Sequence, residues 1–225
     1  MAEPLLILRL EGVLQSWGED AKWDTRGTAL IPTKSGVVGL LACAMGLERG
    51  DPQIAAMSDA ITLGVRVDRP GVQMTDYHTV QGNPLRNAAG KPRSTGNTLV
   101  SRRQYLQDAS FLCVIETSDS WRARMVEALN APKWCIYLGR KSCVPSRPIL
   151  DGVYTKYHDL LDAMRRHPAA KGARYPLHYE CEAGRDGAVR YARTDVIVSS
   201  AERRFARRYV WHGTIKEAEN VSDKD

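Results

Sequence analysis

No stretch of this 225-residue sequence approaches the roughly 20 consecutive apolar residues that span a bilayer. The amino terminus has no basic region before an apolar run and no small-residue cleavage site, so we expect no signal peptide. The five cysteines are an odd number without a C-x-x-C pair, and Cys43 and Cys113 lie in apolar runs. These features argue against a disulfide framework or a zinc site. They predict a protein of the reducing cytoplasm with no membrane partner.

The common catalytic motifs are also missing. The sequence contains no H-E-x-x-H, no G-x-S-x-G and no conspicuous pair of carboxylates. A Walker A loop fails because the β-branched Thr33 precedes Lys34 where glycine is needed. We therefore predict no metal site, no cofactor and no nucleotide triphosphatase activity.

Acidic residues are absent from two long windows. Residues 77–107 contain five arginines and lysines and residues 131–150 contain four, with no Asp or Glu in either window. The formal net charge is +6 and the sequence pI is about 9.1. Such windows are expected where phosphates are held, so we predict a nucleic-acid partner.

An apolar helix is predicted at residues 35–45, with Ser35 as its N-cap and Gly46 as its end. The unpaired N–H groups and positive dipole at the start of a helix attract anions, and Lys34 adds a charge there. We predict a phosphate site at Lys34, Ser35 and Gly36. The alternative is an ordinary cap beside a solvated lysine.

The order of apolar patterns predicts the fold class. Strands are expected at residues 5–10, 61–67, 110–117 and 134–138, with helices at 35–45, 51–60 and 119–130. Residues 68–108 are rich in Gly, Pro and Asn, and their ends are expected to pair as a protruding two-stranded arm. This β-α-β-arm-β-α-β order is typical of an α+β, ferredoxin-like domain with a hairpin inserted after its second strand.

The remaining chain predicts a smaller β-rich part. We divide the sequence into residues 1–150 and a C-terminal subdomain at 151–225, whose tail after residue 216 is expected to fray. A helix is expected at 155–166 and a hairpin of strands 175–181 and 188–199. On a helix, the arginines of 203–208 would share one face.

Two further sites carry charged or titratable groups. The turn Gly139–Arg140–Lys141–Ser142 follows a predicted strand, and glycine permits close approach of a ligand to the backbone. His78 lies in the first acid-free window and is the one acid–base candidate. It serves equally well as a binding contact.

Four segments together resemble a known family. PTKSGVVGLLACAMGLER, DYHTV, RRQYLQDASF and YLGRKSCVPSRP occur in an order that resembles the Cas-five family of the RAMP superfamily, in its type I-E CRISPR Cascade form. The resemblance runs from about residue 5 to residue 211. It implies a ferredoxin-like domain, a protruding β-hairpin thumb formed by the 68–108 arm, and a smaller C-terminal part.

The resemblance also implies a function in antiviral defence. A subunit of this kind binds and caps the 5′ handle of the mature crRNA within a ribonucleoprotein complex. Its thumb contacts the backbone subunit CasC, the large subunit CasA docks nearby, and target DNA is reached only through the guide RNA. The residues expected to contact RNA are Gln15, Trp17, Arg26, Lys34, Ser35, Gly36, His78, Arg102, Arg103, Tyr137, Gly139, Arg140, Lys141 and Ser142.

The resemblance leaves one enzymatic alternative. Some relatives in other subtypes resemble ribonucleases, so a metal-independent endoribonuclease using His78 for CRISPR repeat RNA is the second hypothesis. In the type I-E form processing belongs to a separate subunit, CasE. The resemblance therefore favours a protein that binds RNA without catalysis.

Overall fold

The structure is a computed structural model that describes residues 3–18, 21–22, 24–82, 84–86, 90–92, 98–184 and 188–216, with the backbone alone at 21–22. The predicted frayed tail at 217–225 and the centre of the predicted 184–187 turn lie outside the described residues. In the described ranges, no helix is long and apolar enough to cross a membrane.

The described residues form twelve strands and four helices. The strands are β1 Leu5–Glu11, β2 Leu14–Gln15, β3 Ala21–Lys22, β4 Thr25–Arg26, β5 Thr62–Arg69, β6 Val72–Gln81, β7 Thr98–Gln107, β8 Ser110–Glu116, β9 Leu150–Tyr154, β10 Leu177–Cys181, β11 Val189–Ser199 and β12 Arg204–Ile215. The helices are α1 Lys34–Met45, α2 Pro52–Ala60, α3 Asp119–Asn130 and α4 Leu160–Arg166.

A seven-stranded antiparallel sheet forms the centre of the molecule, in the order β11-β12-β10-β5-β8-β1-β9. The side chains of β1 alternate between the two faces of the sheet. Both faces are covered by a core, so the strand is buried on both sides. Leu6, Leu8 and Leu10 join the core that includes α1 and α3, whereas Leu5 and Ile7 join a second core with α4. The mixed α/β class of the prediction is confirmed, with one large antiparallel sheet and few helices.

Helix α1 begins one residue earlier than expected. Thr33, not Ser35, is the N-cap, and its hydroxyl accepts a hydrogen bond from the N–H of Gly36. A β-branched threonine in extended conformation (φ −79°, ψ 152°) presents its hydroxyl to the first turn, so Ser35 lies within the helix. Gly46 ends the helix in the left-handed conformation, as predicted.

Two local predictions are wrong, and the condition for a third does not hold. Residues 134–138 form no strand, and the strand after α3 is β9, which pairs with β1. Strands β10 and β11 do not form a hairpin, because β12 lies between them. The arginines of 203–208 lie on a turn and on β12 rather than on a helix, so alternate side chains face opposite sides.

The arm belongs to a second, smaller sheet. As predicted, β6 and β7 pair antiparallel along their full length, with His78 opposite Ser101 and Asp76 opposite Arg103. The other edge of β7 is paired with β2 and, in parallel, with β4. The loop-rich segment before α1 therefore supports the base of the arm. The division of the chain at residue 150 stays a prediction, since both parts contribute strands to the large sheet.

Candidate nucleic-acid interface

A cleft of about 730 Å³ lies between the base of the arm and the turn that follows Leu138. Seven of the predicted RNA contacts line it. The lining residues are Leu14, Met74, Asp76, His78, Arg103, Tyr105, Tyr137, Gly139, Arg140, Lys141 and Ser142. The structure thus brings both acid-free windows together at one place, which we call the arm cleft.

The alternation of side chains along β6 and β7 decides which residues of the arm face the arm cleft. His78 and Asp76 are two residues apart on β6, and both point to the same face. Arg103 lies directly opposite Asp76 on β7 and shares that face. Arg102, one residue away, points to the other face and is exposed, so it does not line the arm cleft. Of the two arginines expected at the base of the arm, the structure places Arg103 in the arm cleft and Arg102 on the opposite face.

The facing wall is a turn that is fixed against the chain beside β2. Gly139 has φ +90°, and an added Cβ would lie 1.6 Å from the carbonyl oxygen of Ser16. The N–H of Ser16 donates to the carbonyl of Leu138 (3.0 Å), and the N–H of Leu138 donates to the carbonyl of Cys143 (2.7 Å). Glycine is required here for close packing of backbone on backbone, rather than for approach to a ligand.

Arg140 holds this wall to the arm. Its guanidinium donates to the carbonyls of Gln104 (2.9 Å), Arg26 (3.0 Å) and Gly27 (3.3 Å), and it lies 4.7 Å from the ring centre of Tyr105. All of these partners are uncharged. The positive charge of Arg140 is therefore not neutralised by any carboxylate among the described residues.

The arm cleft has a positive electrostatic balance. Arg103, Arg140 and Lys141 line it against the single carboxylate of Asp76, and Lys141 and Ser142 are exposed. Beneath the turn, burial raises the pKa of the Cys143 thiol, so this group stays neutral. The arrangement provides charge for phosphates and the ring of Tyr137 for bases, whereas Tyr105 is buried beneath Arg140.

Lys34 is not a free cation. Its side chain is 5% exposed, and its ammonium donates to the carbonyl of Ile61 (2.6 Å) and lies 3.1 Å from a carboxylate oxygen of Glu182. The N–H of Lys34 donates to Asp195 at 2.7 Å. An internal carboxylate thus occupies the anion-binding end of α1, and the expected phosphate grip by Lys34 is not supported.

Gln15 and Trp17 are also internal. Gln15 is fully buried and donates to the carbonyls of Leu10 and Ala109, at 3.2 and 2.8 Å. Trp17 is 1% exposed, and its ring N–H donates to the Gln15 side chain at 3.2 Å. Both residues support the wall from behind, so their predicted contact with bases is not supported. Arg26 is exposed and offers its carbonyl to Arg140.

Ser35 and Gly36 line a different cavity, of about 360 Å³, together with Tyr137 and Gly139. Tyr137 and Gly139 line both cavities, so the two spaces adjoin at the turn. Sequence reasoning missed Met74, Asp76 and Tyr105 in the arm cleft. The strand period of two, counted from His78 and Arg103, would have found all three.

The described residues contain no group of three or more His, Cys, Asp or Glu side chains able to hold a metal ion. The Nδ1 atom of His78 is buried and has no hydrogen-bond partner among the described residues. A general base is normally oriented by such a partner.

The sequence model of the family described as CRISPR-associated protein (Cas_Cas5) matches residues 5–211. The chain belongs to this Cas5 family. The resemblance drawn from the four sequence segments is thereby confirmed. A curated relative, CRISPR system Cascade subunit CasD of Escherichia coli (strain K12), is 36% identical over 161 residues, which cover 65% of this chain and 70% of the relative.

Solved structures agree with the Cas5 assignment. A chain of a structure titled CRISPR RNA-guided surveillance complex matches with a TM-score of 0.76 and 30% identity, covering 94% of this chain and 90% of that chain. A second structure, titled Crystal structure of Cas protein, matches with a TM-score of 0.69 and 34% identity, over 94% and 95% of the two chains.

Proposed function

We propose that this Cas5 chain is a non-catalytic subunit of a type I-E CRISPR surveillance complex, Cascade, and that it binds and caps the 5′ handle of the mature crRNA. The family membership and the likeness to the Cascade subunit CasD support the assembly. The observation that supports RNA binding is the arm cleft, where three cations face one carboxylate.

Single-stranded RNA fits the chemistry of this cleft. Exposed cations such as Lys141 attract phosphates, and aromatic faces such as Tyr137 take unstacked bases. We assign direct contacts to His78, Arg103, Tyr137, Lys141 and Ser142. Arg140 and Gly139 position the wall, while the exposed Arg26 and Arg102 remain proposed contacts at the outer side of the arm base.

We assign the ferredoxin-like fold to the central part of the chain. Its support is the strand order β5-β8-β1-β9, with helices after β1 and after β8. The β6–β7 arm is inserted between the second and third of these strands, which is the place expected for a thumb.

The arm is proposed to contact CasC. Strand β6 is paired only on its β7 side among the described residues, so its other edge is open to a partner. Val72 and Tyr77 are 67% and 63% exposed on this strand, which is unusual for side chains of their size. CasA is proposed to dock nearby, and target DNA is reached only through pairing with the guide RNA.

We propose that RNA is held and not cut. His78 has no described group to orient it as a base, so a binding role is favoured over the endoribonuclease alternative.

We also propose that the protein is located in the reducing cytoplasm. All five cysteines are free thiols, which fits such a location.

Handle binding is tested with the full-length chain and repeat-derived RNA. Lys141→Ala should weaken binding and reduce the log–log salt slope by about 0.7, the value for one phosphate contact on a single strand. Lys133→Ala, which removes the same charge outside the arm cleft, is the matched control. Equal binding by both variants would contradict the assignment.

The enzymatic alternative is tested by incubating the chain with repeat RNA in EDTA. We expect intact RNA after prolonged incubation. Specific cleavage that His78→Ala abolishes would replace our proposal with the endoribonuclease.

A further inference from the structure

The cavity at Ser35 and Gly36 continues the arm cleft across the turn. Tyr137 and Gly139 line both spaces, so the two cavities adjoin at this turn. We call the second cavity the helix groove, since α1 forms its floor. It leads away from the arm and towards the turn between β11 and β12.

The floor of the helix groove contains an unusual glycine. Gly39 is an exposed residue in a helix that is otherwise largely buried, and an added Cβ would meet no atom within 4 Å. Packing therefore gives no reason for glycine, which costs about 1 kcal/mol relative to alanine inside a helix. The missing side chain leaves the surface of α1 open to a molecule lying on it.

The rim of the helix groove carries positive charge and an aromatic ring. Arg49 and Arg203 are exposed, have no ionic partner among the described residues, and line the helix groove from different parts of the chain. Phe205 is 43% exposed beside them. No carboxylate is among the described residues that line the groove.

The start of α1 does not provide this charge. The N–H of Lys34 is bound to Asp195, and the Lys34 ammonium is bound to Glu182 and Ile61. Attraction of an anion into the helix groove must therefore come from the two rim arginines. Two guanidinium groups and one exposed ring beside an open floor match the phosphates and a base of a single strand.

We propose that the helix groove holds a further segment of the same RNA strand that occupies the arm cleft. Arg49 and Arg203 bind its phosphates, Phe205 stacks on a base, and Gly39 lets the strand lie against α1. This inference rests on the proposed function and extends its binding surface to four residues that are not among the RNA contacts expected from the sequence.

The test uses the full-length chain and a ladder of repeat-derived RNAs of about 4 to about 16 nucleotides, the usual range of site sizes in single-strand-binding domains. Gly39→Glu places bulk and negative charge on the floor, at a position where an added Cβ meets no atom within 4 Å. We expect it to weaken binding of the longer RNAs about tenfold and to leave the shortest unchanged. Ala123→Glu, an exposed position on α3 outside both cavities, controls for charge.

The arginines are tested by salt dependence. The double variant Arg49→Ala and Arg203→Ala should lower the log–log salt slope for long RNA by about 1.4, corresponding to two phosphates. Wild-type affinity of these variants for every length, with Lys141→Ala still impaired, would overturn this inference and leave the proposed function standing. Wild-type affinity of Lys141→Ala as well would overturn both.

Discussion

Two glycines of this chain have opposite surroundings. At Gly139, φ is +90° and a Cβ would overlap the backbone of Ser16. At Gly39, the backbone is helical and a Cβ would meet open space. One position therefore tolerates no side chain, whereas the other has no structural need for glycine.

Alanine at these positions should have opposite effects on stability. Gly139→Ala places a methyl group against the Ser16 carbonyl and should lower the free energy of unfolding by about 3 kcal/mol, from backbone strain and displaced packing. Gly39→Ala should raise it by about 0.5–1 kcal/mol through helix propensity. Urea unfolding of both variants beside the wild type measures the difference.

Gly39→Ala also serves as the control for Gly139→Ala, because both add one methyl group. A Gly139→Ala variant as stable as the wild type would mean that the turn is not fixed against Ser16. Loss of stability in Gly39→Ala would mean that its surface is packed in the folded protein.

Single residues show where sequence reasoning reached its limit. Lys34 precedes an apolar helix, so it was a reasonable candidate for a free cation. Its partner Glu182 lies 148 positions later in the chain, and no local pattern reveals that the two meet. By contrast, Lys141 and Ser142 were found from an acid-free window, because that signal is local and needs no partner.

At the scale of elements, one ion cluster joins the start of α1 to the C-terminal strands. Asp195 on β11 accepts hydrogen bonds from the N–H of Lys34 (2.7 Å) and from the guanidinium of Arg208 on β12 (2.6 and 2.9 Å). Burial alone would raise the pKa of Asp195, but the bonds and charge of Arg208, with the Lys34 N–H, outweigh burial and lower it.

The contribution of this ion cluster to the stability of the fold should be lost at acid pH. Because the folded-state pKa of Asp195 lies below the ordinary value of 3.8, its carboxylate stabilises the fold above that pH, and the contribution is lost as pH falls through the folded-state pKa. Asp195→Asn should lower the free energy of unfolding by about 3 kcal/mol at neutral pH. The difference from wild type should shrink as pH falls below 3.8.

Denaturant titrations at neutral pH and at steps below 3.8 measure this difference. Asp59→Asn, which changes an exposed carboxylate on α2, is the matched control and should have little effect at any pH. A deficit of Asp195→Asn that stays constant into acid would contradict a stabilising ionised carboxylate.

Local periodicity found most elements and failed where pairing is distant. The apolar runs of β1, β5 and β8 and the stripe of α3 were predictable because each period of two or 3.6 is visible in its own segment. The insertion of β12 between β10 and β11 was not predictable, since sequential strands more often pair. Residues 134–138 have strand composition, yet the backbone of Leu138 bonds to Cys143 and Ser16, and the carbonyl of Cys135 accepts from the Cys43 thiol of α1.

At the scale of the whole molecule, the arm exposes two distinct faces. Alternation puts His78 and Arg103 on the face of the arm cleft, and puts Tyr77 and Val100 on the outer face. Tyr77 is 63% exposed and Val100 is 36% exposed. The two faces can therefore hold RNA and a protein neighbour at the same time, and substitutions can separate the two contacts.

The double variant Tyr77→Ser and Val100→Ser should fold normally, because neither side chain belongs to the two buried cores. It should bind handle RNA as the wild type does, since the cations of the arm cleft and Arg102 on the outer face are unchanged. Its capture of CasC in the presence of guide RNA should fall about tenfold, because exposed apolar side chains at an open strand edge supply such contacts. Lys141→Ala should show the reverse pattern, with weaker RNA binding and, once RNA is saturating, normal capture of CasC. If both variants lost RNA and CasC together, the arm would act as one surface, and the separation of its faces would be wrong.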